Sequence, residues 1–278
     1  MQQPHNRPIV TQQMEQDLPS QVSQDFSLRR IAYLLPVYTP PPVANFNPTE
    51  DWKQDYTMYL LQPLNARKVG RFSLERSSKG SKQFILKVLT QRVGNSGYSQ
   101  FQHAELNCRT DLLATPESWV FDTKMALTPN GKPYLLSGRR HSARVSNGIL
   151  AIRDNFRTSA FPIPGRYSNE WTLLEAVQRL PGQMMQPIDY TLIDEFDTPW
   201  PNHRLAYRTQ AHLHMQGGSE MLTAYYDLGR AVVPTVYWVD KHGRLIFVCT
   251  GLQIYALTAT NGKSGQLPHQ YPTLREDA

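Results

Sequence analysis

Between residues 51 and 141 the chain alternates apolar and polar positions in short runs, each closed by a cluster of Gly, Pro, Asn or Ser. The runs are Tyr56 to Leu61, Val69 to Arg76, Gln83 to Gln91, Tyr98 to Cys108, Ser118 to Leu127 and Tyr134 to His141, and their period of two predicts strands. They follow one another too closely for the crossover that a parallel pair needs, so the pattern reads as an antiparallel meander. Asn147-Gly148 supplies the two positive-φ positions of a type I′ turn and pairs Val145 with Leu150 and Ala143 with Ile152. Later, Ile188 to Phe196 is a strand, and His203 to Met215 alternates most cleanly, with Leu205, Tyr207, Thr209, Ala211, Leu213 and Met215 opposite Arg204, Arg208, Gln210, His212 and His214. A turn at Gly217-Gly218 predicts Leu213 opposite Leu222, Arg208 opposite Asp227 and His212 opposite Thr223. Pro234 to Val239 and Arg244 to Thr250 form a further hairpin, whose LIFVC run is apolar on both faces and therefore central.

One segment breaks this rhythm. Within residues 161–181, Trp171, Leu174, Val177 and Leu180 recur at three-residue steps, with Leu173 widening the stripe, which predicts a helix over Ser168 to Leu180 with one buried face. Ser168 or Asn169 caps it, Glu170 suits the positive end of its dipole, and Pro181-Gly182 ends it. The fold expected is mainly β: a single antiparallel curved sheet, a half-barrel or open barrel, wrapped on one principal helix.

Three stretches differ in composition. Residues 1–50 are Gln- and Pro-rich and read as an extended, partly disordered arm, in which IAYLLPVY either straps the domain or belongs to an unstructured leader. Residues 51–259 form the β-rich domain, and 260–278 a flexible tail. At 278 residues and 40% hydrophobic content the chain can bury a substantial single core. A net charge of +6 favours anionic partners, but the basic residues are scattered and no nucleic-acid recognition motif is present. No apolar run is long enough for a transmembrane segment, and the N-terminus lacks a signal-peptide pattern. The expected location is the periplasm or cell envelope if the chain is a processed mature form, and the cytoplasm otherwise. Cys108 and Cys249 are either a disulfide pair or two buried thiols.

Candidate chemistry is concentrated in arginines. Arg139, Arg140, Arg144, Arg153, Arg157 and Arg166 fall within one hairpin and the approach to the helix, without a lysine, and guanidinium suits bidentate capture of a carboxylate or phosphate. Charge on an outward strand face is the alternative. His212 and His214 share a strand face at a spacing that metal sites use, yet no third ligand is forced nearby, so the expectation is no metal and no cofactor. Asp189, Asp194, Glu195 and Asp197 read as a solvated strand end, because neighbours on a strand point to opposite faces. The aromatic set Trp119, Trp171, Trp200, Trp238, Tyr167, Tyr207, Tyr226 and Tyr237 supplies either a pocket wall or core. No nucleophile elbow, Walker loop or dinucleotide fingerprint occurs.

The helix-interrupted meander, with Trp238-Val239-Asp240 and Gly243-Arg244-Leu245 in its late hairpin, resembles the LolA-like lipoprotein-carrier half-barrels. That resemblance implies a cavity between sheet and helix and carriage of a lipid group. The long arm and the arginine cluster depart from it. The function expected is a noncatalytic binding or carrier protein for an apolar or amphipathic anionic small molecule or lipid, with Arg139, Arg140, Arg153, Arg157, Tyr167, Trp171 and Trp238 as ligand-binding residues. The alternatives are a cofactor-independent enzyme acting on an aromatic or acyl substrate, with His141, Arg139 or Glu170 as acid, base or anchor, and an assembly protein whose N-terminal arm binds a protein partner.

Overall fold

A computed structural model describes residues 27–43, 45–62, 65–94, 97–127, 134–154, 156–181, 186–230 and 232–261. The outer parts of the expected arm and tail, 1–26 and 262–278, lie outside the described residues.

The meander is present from its first strand: β1 (Trp52–Gln62), β2 (Asn65–Ser78), β3 (Gln83–Val93), β4 (Tyr98–Arg109), β5 (Pro116–Leu127), β6 (Tyr134–Ser146), β7 (Ile149–Asp154) and β8 (Thr158–Pro162). After β9 (Tyr167–Asn169) and the helix α1 (Glu170–Ala176) come β10 (Ile188–Asp194), β11 (Thr198–Met215), β12 (Gly218–Leu228), β13 (Thr235–Asp240), β14 (Leu245–Thr250) and β15 (Gln253–Asn261). All fifteen belong to one sheet, ordered β8 through β1, then β15 back to β9. Every pairing is antiparallel except β9 with β10. The sheet curls until its two halves meet through side chains: Trp119 of β5 donates its indole N–H to the Phe196 carbonyl (3.2 Å), and the ring of Phe121 stacks on that of Phe196 at 4.6 Å. A sheet of this many twisted strands must close, split or curl, and this one curls into an open barrel.

The Asn147-Gly148 turn has φ of 50° and 72° and pairs Val145 with Leu150 and Ala143 with Ile152, as its sequence requires. The next hairpin differs from expectation. Its turn is Gln216-Gly217, so Leu213 faces Glu220, Ala211 faces Leu222 and His212 faces Met221. Gly218, at φ 125°, is already inside the strand, and a bulge at Arg208 displaces the register again, so Asp227 lies opposite Leu205 rather than Arg208. A bulge inserts a residue that no alternation pattern on one strand reveals.

The helix is shorter than its sequence pattern and continues as a single 3-10 turn, Val177–Arg179. Asn169 caps it, its side chain accepting from Trp171 N at 2.9 Å and donating to the Ile193 carbonyl at 2.7 Å. We expect Asn169→Ala to lower the unfolding free energy by about 1–2 kcal/mol in urea titrations, since a cap and a buried amide bond are lost together. The expectation of one buried face is corrected: Trp171, Thr172, Leu173, Leu174, Glu175 and Ala176 are all buried, because the helix runs inside the barrel rather than along it. Its last turn reaches the strand connections at one end of the barrel. There Arg179 donates to the Asp111 carbonyl (2.8 Å), Gln178 accepts from Gln54 (2.9 Å), and the Tyr225 hydroxyl donates to the Pro181 carbonyl. The helix therefore plugs that end and leaves the other open.

The convex face of the central strands is covered as well. Residues 27–38 form short helical turns rather than an extended strap. They bury Ile31, Leu34 and Tyr38, and the Tyr38 ring packs on Phe247 at 4.6 Å while its hydroxyl donates to the Leu257 carbonyl at 2.8 Å. With helix on one side and strap on the other, Leu245, Ile246, Phe247, Val248 and Cys249 are buried on both faces. Both cysteines are free, Cys108 on the concave face and Cys249 under the strap, so the sheet itself separates them. Burial pushes both thiols up, Cys249 to about 12.

Candidate functional site

The open end of the barrel holds a cavity of about 740 Å³. Its floor is the side of α1 that faces the cavity, with the facing sheet: Trp171, Leu174, Leu192, Tyr237, Val248 and Tyr255. One wall is polar, built from inward positions of neighbouring strands, Arg92 on β3, Gln100 and Gln102 on β4, Thr123 on β5 and Arg139 on β6. The opposite wall is acidic. Glu195 and Phe196 take φ of 46° and 66°, a left-handed turn that brings Asp194, Glu195 and Asp197 to the cavity beside Glu170. The strand end expected to be solvated keeps Asp189 and Glu195 exposed, while the turn carries Asp194, Glu195 and Asp197 to the cavity, since alternation ceases where the backbone turns.

Burial first, and then a hydrogen bond to Asp194, hold the Glu170 carboxyl well above its ordinary value. Across the mouth Arg139 binds Asp197 at 3.1 Å and Asp154 at 3.7 Å. Its charge is matched by the protein's own acids. The Arg92 Nε is buried without a hydrogen-bond partner, beside the Tyr255 phenol.

At the side of the cavity, His203 and Asp227 are both almost fully buried. His203 Nδ1 lies 2.9 Å from Asp227 Oδ1, which also accepts the Tyr190 hydroxyl at 2.6 Å. Desolvation and the adjacent carboxylate raise the Tyr190 phenol well above its usual range. The imidazole rests against Gly229, where a Cβ would stand 2.6 Å from His203 Cε1 and Nε2. Gly229→Ala should push the ring off Asp227, visible as a changed His203 ring resonance in NMR spectra. Gly229, in the connection after β12, has no positive φ, so the substitution acts through these contacts, with Val232 Cγ2 also 2.6 Å from the added Cβ; an unchanged resonance would mean that the backbone at Gly229 shifts and the ring stays on Asp227.

Of the ligand-binding residues expected from the sequence, Arg139 and Trp171 come together at the cavity, and Glu170, Trp200 and Tyr237 from the wider set of candidates line it too. Arg140 lies on the outer face, in a separate depression of about 490 Å³ with His103, Glu105 and Asp122. Arg153, opposite Ser142, is exposed on that same outer face, and Arg157 is exposed beside Asp154 at 3.9 Å. The reason is the period of two: Arg139 and Arg140 are adjacent and must point to opposite sides. Tyr167 is buried at the plugged end, where its carbonyl accepts from Thr115, and Trp238 is fully buried under the strap. His212 and His214 are exposed, opposite Met221 and Ser219, and among the described residues no trio of His, Cys, Asp or Glu is placed to hold a metal. His141 is buried behind the stacked Phe121 and Phe196 rings, with both ring nitrogens unpartnered; burial and Arg139 lower its basicity.

His203, Asp227 and Arg92 carried no sequence signal. The Arg208 bulge hid the partner of Asp227, and nothing in the alternation distinguishes an inward histidine from a core one.

No family model matches the chain, and no curated protein matches it. Among solved structures it is similar to a β-barrel-like protein of a domain of unknown function, DUF1849, from Brucella abortus, with a TM-score of 0.51 at 11% identity over 77% of this chain and 98% of that one. The likeness is one of fold: mainly β and β-barrel-like. Among the described residues no helix is long and apolar enough to cross a membrane.

Proposed function

We propose that the protein binds an amphipathic small molecule in the open-end cavity. The observation that carries this reading is the mouth. Trp200, Val232, Val233 and Leu252 are among the most exposed large apolar side chains described, and all four line this one cavity above an apolar floor. Solvent-facing apolar side chains gathered around a concave site mark a surface that a ligand covers. The apolar body of the ligand rests on Trp171, Leu174 and Val248. An anionic group is held by Arg92, since Arg139 is already neutralised. This arrangement supports a noncatalytic carrier of the kind the LolA-like resemblance implies, with lipids and fatty acids as the first ligands to try.

Native mass spectrometry of the purified protein, followed by titration with the fluorescent fatty acid cis-parinaric acid, tests it. Binding should weaken about tenfold in Arg92→Glu, the loss of one charge-assisted contact. Val233→Asp at the rim should weaken it also, with thermal stability little changed. No probe binding by a wild-type protein that carries no co-purified ligand would overturn the proposal.

A further inference from the structure

We propose that His203 is the cavity's acceptor for an acidic O–H group, so that the ligand carries a phenol, enol or carboxylic acid in addition to its apolar body. This rests on the cavity being the ligand site. Asp227 accepts from both His203 Nδ1 and the Tyr190 hydroxyl through one oxygen, at 2.9 Å and 2.6 Å. A carboxylate so placed keeps the imidazole proton on Nδ1 and leaves the Nε2 lone pair as an acceptor. Nε2 is the ring nitrogen not used by the protein, on a residue that lines the cavity. Around the ring are Tyr190 from β10, Asp227 from β12, Tyr237 from β13, and Gly229 and Val232 from the connection between those last two strands. Asp227 is the charged group among these. A bound acidic O–H therefore donates to Nε2 and can pass its proton across completely. The products are an imidazolium, with Nδ1–H on Asp227 and the new N–H on Nε2, and the ligand's oxyanion; no other bond changes.

The probes are 4-nitrophenol, whose colour reports its ionisation, and its methyl ether 4-nitroanisole, which has no proton to give. Wild-type protein is expected to bind both and to hold nitrophenol in its phenolate form at a pH where the free dye is mainly neutral. His203→Asn keeps a donor to Asp227 but removes Nε2. It should bind nitroanisole like wild type and nitrophenol about tenfold to a hundredfold more weakly, as expected for one charge-assisted hydrogen bond, with the bound dye neutral. Nitrogen-15 spectra of the wild type provide the same decision without a variant: Nε2 unprotonated before nitrophenol is added and protonated after. Equal nitrophenol affinity and colour in wild type and His203→Asn, or an Nε2 already protonated at neutral pH without ligand, overturns the assignment while leaving the cavity reading intact. If neither dye binds wild type, the His203 assignment falls, and the parinaric acid titration decides the cavity reading separately.

Discussion

Glu175→Gln is expected to lower the free energy of unfolding by about 3–5 kcal/mol, measured by urea titration at neutral pH. Glu175 is fully buried on the plug helix and takes Arg76 at 3.0 Å and Arg179 at 2.7 Å; the two guanidinium groups are 3% and 11% exposed. An amide in its place keeps the volume and loses the charge, leaving two nearly buried cations facing one another's field. Each retains some support. Arg76 donates to the Glu50 carbonyl at 2.7 Å and lies over the Phe84 ring, and Arg179 donates to the Asp111 carbonyl. Those bonds satisfy protons but do not cancel charge, which is why the loss belongs to the uncompensated-ion class. A triple replacement of Arg76, Glu175 and Arg179 by apolar residues of similar size should recover most of the stability, since desolvating an ion trio costs nearly what its attraction returns. A loss below about 1 kcal/mol in Glu175→Gln would show that the plugged end is wet.

The second large effect is on pH dependence. Glu170 has a folded-state pKa above its ordinary 4.5, through burial first and the Asp194 contact second. The sign follows from linkage. Above 4.5 the unfolded chain has lost this proton while the folded chain keeps it, so the contribution is fully present below that value and is lost as pH rises through the folded pKa. One such group contributes a slope of at most about 1.4 kcal/mol per pH unit across that window. Glu170→Gln should flatten the wild-type decline, matching wild type in acid and exceeding it at higher pH. The comparison with wild type matters because Asp51, Asp154 and Asp189, held low by backbone or arginine hydrogen bonds, act in the opposite sense in both proteins. Thermal unfolding from mildly acidic to mildly alkaline buffer measures it. Parallel profiles for the two proteins would mean that the fold does not hold the Glu170 carboxyl above its ordinary value.

The sequence alone determined the β meander, the Asn147-Gly148 hairpin, the centrality of LIFVC and the place of the helix. These rest on local rules: a period of two, a turn that only certain residues adopt, an apolar run needing two covered faces, and a cap. Tertiary structure decided the rest. That the helix lies inside the barrel, buried all round, depends on the sheet curling past it, and curl is a property of all fifteen strands together. The register of β11 against β12 depended on a bulge at Arg208 that leaves no trace in residue type. Of the arginines, Arg139 lines the cavity while Arg140 and Arg153 face outward, a sorting set by strand parity once the concave side is known. The polar side chains that give the cavity its chemistry come from distant stretches: Arg92, Glu170, Asp194, His203 and Asp227 line one space only because the curled sheet brings its inward positions round the helix. A local pattern states which face of a strand a residue occupies; what lies across that face is decided by the chain's other end.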